Sequence, residues 1–169
     1  ALVCWFLAEH SPALALTTAP THRQVEKVLW PEIRRFWRRT LLGRAGVGRV
    51  NACEIRLTDA RRAVGFSTDD PDRFQGFHSP NLLFIADEAA GVDARIFEAV
   101  QGVLTGANAR ELLIGNPTTP SGCFFDSHLP GSPYRRLHIS CLESPNVVAG
   151  REVVPGLTTR GWVERLRRD

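Results

Sequence analysis

Two carboxylates side by side, Asp87 and Glu88, close a run of four consecutive apolar residues, Leu82-Leu83-Phe84-Ile85, and an alanine, Ala86. Such a run, with no polar partner, fits a strand buried on both faces, as in a parallel sheet. The C-terminal end of a buried parallel strand is where open α/β sheets bind ligands. An Asp there can hold Mg²⁺ on a nucleotide, and a neighbouring Glu can orient or deprotonate the attacking water. This is the pattern of a Walker B strand. The same residues also fit a core strand ending in two solvated acids, and the motif alone does not choose between them.

A second polar position belongs with these acids. Glu111-Leu112-Leu113-Ile114-Gly115 reads as another buried strand, and the polar loop Asn116-Pro117-Thr118-Thr119-Pro120-Ser121-Gly122 follows it. Between the two strands, Val92, Ile96, Phe97, Val100, Val103 and Leu104 share one face of a helix. Asp93 stands near the positive end of that helix and Gly106 is placed to stop it. Strand, helix and strand with short connections imply a right-handed βαβ unit. That unit brings Asn116 to the same sheet edge as Asp87 and Glu88.

The elements that must position this edge begin with Ala1 to Glu9, which reads as the end of a helix, and a turn at Ser11-Pro12. Ala13 to Thr18 is a short apolar strand. Thr21 and Gln24 have capping-box spacing: the hydroxyl caps a free amide and the Gln reaches back. Val25, Val28, Leu29, Ile33, Phe36 and Trp37 then follow one helical face, which Pro31 should kink or split. Arg34, Arg35, Arg38 and Arg39 make a basic face, read first as solvated and second as a DNA-phosphate contact. Gly43, Gly46 and Gly48 mark a flexible link. Val50 to Leu57 and Ala63 to Ser67 read as two strands of a hairpin around Thr58 to Arg62. Asp69-Asp70-Pro71-Asp72 is a loop, and Arg73 to His78 leads into the central strand, with Arg73 and Gln75 read first as loop packing and second as ligand contacts. Downstream, a helical turn is expected over Cys123 to Ser127 and a strand over Tyr134 to Ser140. Ser144 to Asn146 reads as a loop and Gly150 to Gly156 as a linker. A last helix, capped by Thr158 or Thr159, should run through Trp162 and Leu166.

Composition sets the bounds. A chain of 169 residues with 43% hydrophobic and 23% charged residues is long enough for one domain with a core. No apolar run approaches the length of a membrane span; Leu2 to Ala8 is far too short. The net charge of +3 is a weak pointer to an acidic partner, and among the 21 basic residues only Lys27 is a lysine. Arginine suits bidentate phosphate contacts, but a GC-rich genome explains the excess first. Cys4, Cys53, Cys123 and Cys141 lack metal-knuckle spacing and are expected to be reduced, buried thiols.

Three pieces, in this order, resemble the ATPase half of a phage terminase large subunit, the DNA-packaging motor. They are Thr17-Thr18-Ala19-Pro20-Thr21-His22-Arg23-Gln24-Val25, Leu82 to Ala90, and Leu113-Ile114-Gly115-Asn116-Pro117-Thr118. Ser67 to Gly76 also looks like the segment that precedes Walker B in such proteins. The resemblance implies that Asp87 coordinates Mg²⁺, that Glu88 is the catalytic carboxylate, and that Asn116 senses the γ-phosphate and couples hydrolysis to DNA movement. Thr18 and Thr21 would face nucleic acid or support the nucleotide site. Arg73 would lie near the nucleotide or a neighbouring subunit. The implied fold is α/β, a P-loop NTPase-like, mostly parallel sheet with helices on both faces. The implied ligands are ATP and Mg²⁺. The implied partners are double-stranded DNA, a terminase small subunit, a portal and further copies of the motor subunit, in the cytoplasm of a bacterial host and without a membrane.

The chain departs from that pattern at one point. The Gly-rich loop ending in Lys-Ser or Lys-Thr that cradles phosphates is missing, and Lys27 is followed by Val28. The expectation is that residues 1–150 form part of the ATPase domain, with 151–169 a linker and C-terminal helix. The first strand, the phosphate loop and the nuclease domain are expected to lie outside the chain. The 169 residues alone should then be nearly silent in catalysis, marginally stable or oligomeric, with apolar surface exposed on Leu82 to Ile85 or on the first helix. A degenerate prophage remnant that only binds protein or nucleic acid is the alternative. A metal-dependent nuclease built on Asp69, Asp70, Asp72, Asp87 and Glu88 is less consistent with a loop that turns at Pro71, and Ser121, Asp126 and His128 lack the elbow of a nucleophilic triad.

Overall fold

The computed structural model describes residues 1–67 and 76–168, arranged as two compact units, Ala1–Ser132 and Pro133–Asp169. The first unit is an α/β sheet of six strands. Its elements in chain order are α1 (Leu2–Glu9), β1 (Ala13–Ala19), α2 (His22–Gln24), a π-helical segment (Val25–Leu29), α3 (Trp30–Trp37), α4 (Leu41–Arg44), β2 (Arg49–Val50), β3 (Glu54–Thr58) and β4 (Arg61–Ser67). They are followed by β5 (Asn81–Ala86), a 3-10 turn (Ala89–Gly91), α5 (Ala94–Gln101), β6 (Asn108–Leu113) and α6 (Cys123–Asp126). The strands lie in the order β2-β3-β4-β1-β5-β6. β4, β1, β5 and β6 run parallel, and β2 and β3 complete an antiparallel meander at one edge. The expected mostly parallel sheet with helices on both faces is therefore the observed one.

Alternation along the central strands divides the core. Ala13, Ala15, Leu83 and Ile85 face a cluster with α1, Val25, Trp30, Ile33 and Trp37, whereas Leu14, Leu16, Leu82 and Phe84 face one with Ile96, Phe97 and Val100 of α5. Every residue of β1 is buried, and so are Leu82 to Ile85. Each large side chain in that run contributes about 1.5–3 kcal/mol by leaving water. The apolar surface anticipated on Leu82 to Ile85 is thus covered. It shows instead on α1, where Leu2 is 38% and Trp5 54% exposed, beside an apolar hollow of about 440 Å³ that also takes in Phe36.

Pro31 splits the second helix in a specific way. The Trp30 amide reaches back to the Val25 carbonyl, five residues earlier, so the turn before the proline is widened. A widened turn accommodates a ring that would otherwise clash with the preceding turn. It also lays Trp30 over the sheet, where its indole Nε1 donates to Thr17 Oγ1 at 3.0 Å. Gly65 on β4 is the residue underneath: a Cβ there would collide with the Trp30 indole.

Several expectations change. The strand expected over Val50 to Leu57 is two strands, β2 and β3, separated by Asn51 to Cys53. The helix after Val92 ends at Gly102, not Gly106, while Val103 stays in the core beyond it. β6 is an edge strand, half-buried apart from the exposed Arg110, not a buried one, because it pairs only with β5 among the described residues.

The second unit contains a 3-10 turn (Cys141–Glu143), α7 (Pro145–Ala149) and α8 (Arg160–Leu166). Thr159 caps α8, accepting from the Trp162 amide at 3.4 Å. Pro145 starts α7 where a loop was expected, the favoured place for proline in a helix. The strand expected over Tyr134 to Ser140 does not form; the segment is irregular, with Leu137 and Ile139 exposed and no strand partner among the described residues. The cysteines are free thiols, and burial pushes those of Cys4, Cys53 and Cys123 up, but Cys141 is exposed rather than buried.

Candidate functional site

The route of the chain fixes where a ligand belongs. β1 leaves the sheet through α2, the π-helical segment and α3 on one face, and β5 leaves through α5 on the other. Adjacent parallel strands whose connections depart to opposite faces leave a crevice between their C-terminal ends, the topological switch point where open α/β sheets bind ligands. In this sheet that point lies between β1 and β5, where Thr18 pairs with Ala86.

The residues at this crevice are those singled out from the sequence. The β1–β5 ladder runs one step past the strands, with the Asp87 amide donating to the Thr18 carbonyl at 2.9 Å. The Asp87 carboxylate is half-buried and accepts from the Glu88 amide at 3.1 Å. Glu88 then turns the chain with φ 50° and ψ 45°, the left-handed region that non-glycine residues rarely adopt. The turn is fastened on both sides. The Ala89 amide donates to the Ile114 carbonyl at 2.8 Å, and the Gly91 amide donates to the Glu88 carbonyl at 2.9 Å. Glu88 is exposed, so the strain aims a carboxylate outward from the sheet rim.

Asn116 leaves the neighbouring strand at the same rim. The register pairs Ala86 with Leu113, and the Ile114 amide donates to the Ala86 carbonyl at 2.9 Å. Gly115 passes close to the Glu88 turn: a Cβ on it would stand 3.1 Å from the Ala89 nitrogen. Asn116, one residue on, is exposed, and its carbonyl accepts from the Thr118 amide at 2.8 Å.

The threonines take different places. Thr18 is fully buried and its hydroxyl donates to the Phe66 carbonyl at 3.3 Å, so it braces β1 against β4 beneath the crevice. Thr21 is exposed and caps α2, accepting from the Gln24 amide at 3.2 Å. The reciprocal half of the expected capping box is absent. The Gln24 side chain accepts from the Thr21 hydroxyl at 2.7 Å and donates through Nε2 to Glu88 Oε2 at 3.2 Å. Gln24 is therefore part of the site, although its spacing from Thr21 pointed only to a helix cap. Arg73 lies outside the described residues, as do Asp69, Asp70 and Asp72.

Two hard oxygen donors at a switch point fit Mg²⁺ on a phosphate ester, because Mg²⁺ takes one or two protein carboxylates and completes its shell with phosphate and water. Among the described residues no group of three or more His, Cys, Asp or Glu is placed to hold a metal. His128 is tied to Ser127 Oγ and the Phe124 carbonyl, each at 3.0 Å, rather than to a triad. No described helix is long and apolar enough to cross a membrane.

Comparison with known proteins agrees with the resemblance. Over 82 residues, 44% of this chain, it is 43% identical to a protein of Enterobacteria phage P7 described as "Probable terminase, large subunit". The match spans 17% of that relative's length. The likeness to phage terminase large subunits read from the sequence is borne out. A solved large terminase from a thermophilic bacteriophage, in complex with ADP, shares a TM-score of 0.49 and 17% identity over 70% of this chain and 29% of that one, a likeness too slight to carry an argument. No family model matches the chain.

Proposed function

We propose that these residues form part of the ATP-hydrolysing motor of a terminase large subunit, with the nucleotide's terminal phosphates at the β1–β5 crevice. The observation that carries this reading is the pairing of Asp87 with a strained, outward-facing Glu88 at the topological switch point. Asp87 is the residue that holds Mg²⁺, which when bound neutralises charge on the phosphates. Glu88 takes a proton from a water as the water oxygen bonds to the γ-phosphorus. The bond from that phosphorus to the bridging oxygen breaks, and its electron pair leaves with ADP. Asn116, one residue beyond the Gly115 contact with the Glu88 turn, senses the γ-phosphate. Thr18 supports the crevice from below. Double-stranded DNA, the small subunit and the portal are the partners of the assembled motor.

These 169 residues carry no glycine-rich loop followed by Lys-Ser or Lys-Thr, so on this reading they are silent or nearly silent towards ATP in isolation. The test is steady-state Mg-ATP hydrolysis by the complete polypeptide of the gene that encodes them. Glu88→Gln should lower kcat by at least about a hundredfold, in keeping with the loss of a positioned general base. Unchanged turnover in that variant would remove Glu88 from the chemistry and leave the non-catalytic binding module as the better reading.

A further inference from the structure

We propose that Gln24 is a positioning residue for the Glu88 carboxylate, an inference that rests on reading Glu88 as the group that meets the attacking water. The two residues are 64 apart in sequence and joined by one hydrogen bond, from Gln24 Nε2 to Glu88 Oε2 at 3.2 Å. Nothing about local helix geometry requires that bond. It crosses the switch point, from the helical turn after β1 to the turn after β5.

The orientation of the amide is determined by its surroundings. An ionised carboxylate only accepts, so the end of the amide that faces Glu88 is the NH₂. The oxygen end is used elsewhere: Gln24 Oε1 accepts from the Thr21 hydroxyl at 2.7 Å. That hydroxyl is in turn oriented by the Gln24 backbone amide, which donates to it at 3.2 Å. Thr21, Gln24 and Glu88 thus form a directed chain that starts at a helix N-terminus and ends on the carboxylate.

Glu88 needs such a tether. Its backbone is pinned by the Ala89 and Gly91 hydrogen bonds and by the close passage of Gly115. Its side chain is exposed and has three rotatable bonds beyond Cα. Among the described residues, the carboxylate's hydrogen-bond partner is the Gln24 amide. Holding Oε2 leaves Oε1 as the oxygen that takes the water proton. Because Gln24 acts through Glu88, losing its amide slows the chemical step and leaves nucleotide affinity alone.

The experiment is Mg-ATP hydrolysis by the complete polypeptide, comparing wild type, Gln24→Met, Gln24→Glu, Glu88→Gln and the double variant Gln24→Met/Glu88→Gln. Gln24→Met keeps length and bulk, removes the donor, and leaves the backbone amide that Thr21 caps. It should lower kcat about tenfold, the scale of a displaced catalytic group, with KM unchanged. Gln24→Glu, which sets a second carboxylate against Glu88, should lower kcat further; it carries the test by itself if Gln24→Met does not fold. The double variant should be no slower than Glu88→Gln. Wild-type kcat in both Gln24 variants, beside a silent Glu88→Gln, overturns the positioning role and leaves Glu88 as the base. Equal slowing by Gln24→Met in the presence and absence of Glu88 also overturns it. Wild-type turnover in Glu88→Gln overturns both readings together.

Discussion

Glu88 occupies a backbone conformation, φ 50° and ψ 45°, that costs a side-chain-bearing residue about 1–2 kcal/mol. Strain of this kind persists where neighbouring structure over-determines it and gathers at functional sites. Glycine adopts the same conformation without that penalty, at the expense of extra chain entropy in the unfolded state. Glu88→Gly should therefore raise stability by roughly 0.5–1 kcal/mol, read as a higher denaturation midpoint, while removing the carboxylate. A lower midpoint would mean that the side chain holds the turn rather than being strained by it. Asp87, Glu88 and Asn116 were legible as a set because an apolar run ending in acids and a βαβ pattern fix both strand ends without knowledge of the rest. Gln24 was not legible as a site residue: its contact with Glu88 spans 64 positions, and the spacing from Thr21 already had a local explanation. The resemblance implies that Thr18 faces nucleic acid or supports the nucleotide site; on the central strand of a sheet covered on both faces its hydroxyl donates to the Phe66 carbonyl.

At the scale of elements, β5 was readable because four apolar residues in a row have no face left for water. β6 carries Arg110 and Glu111 before Leu112 and Leu113, and its position at the edge follows from pairing with β5 alone among the described residues. Leu137 and Ile139 alternate with polar residues as a strand would, but no partner strand receives them among the described residues. The π-helical segment was legible only as a disturbance at Pro31, since its register is set by seating Trp30 on Thr17 and Gly65. Asp93 behaved as its position implied: it caps α5, accepting from the Arg95 amide at 2.9 Å. The Arg95 side chain, helped by that amide, holds the Asp93 pKa at about 2. A carboxyl depressed in the folded state contributes stability that is complete above its unfolded pKa of about 4 and is lost as pH falls towards 2. Acid titration of stability should show a shallower loss between those limits in Asp93→Asn than in wild type; identical slopes would contradict the cap. In the second unit, the buried Asn146 amide accepts from Val153 and Val154 at 2.7 and 2.8 Å and donates to the Val154 and Leu157 carbonyls at 2.8 and 3.0 Å. The stretch that reads as a linker is thus tied to α7. Asn146→Ala leaves several backbone groups without that partner and should cost at least about 2 kcal/mol, seen as faster amide hydrogen exchange over residues 150–157. Unchanged exchange there would mean that the stretch is held by other contacts.

At the scale of the whole molecule, one feature of topology assembles the site: β1 and β5 are neighbours whose connections depart to opposite faces. Everything proposed for Asp87, Glu88, Gln24 and Asn116 follows from their meeting at that rim. The central strands are covered, whereas Leu2 and Trp5 of α1 and Ile114, next to the Glu88 turn, are exposed. The most direct test of the crevice as a Mg-nucleotide site is calorimetric titration of ATP into the complete polypeptide, wild type and Asp87→Ala, each with and without Mg²⁺. Mg²⁺ should strengthen ATP binding at least about tenfold in wild type and leave Asp87→Ala nearly unaffected, because Asp87 is the residue that would hold the metal. The same Mg²⁺ dependence in both proteins would place the metal, and with it the phosphates, somewhere other than the β1–β5 crevice.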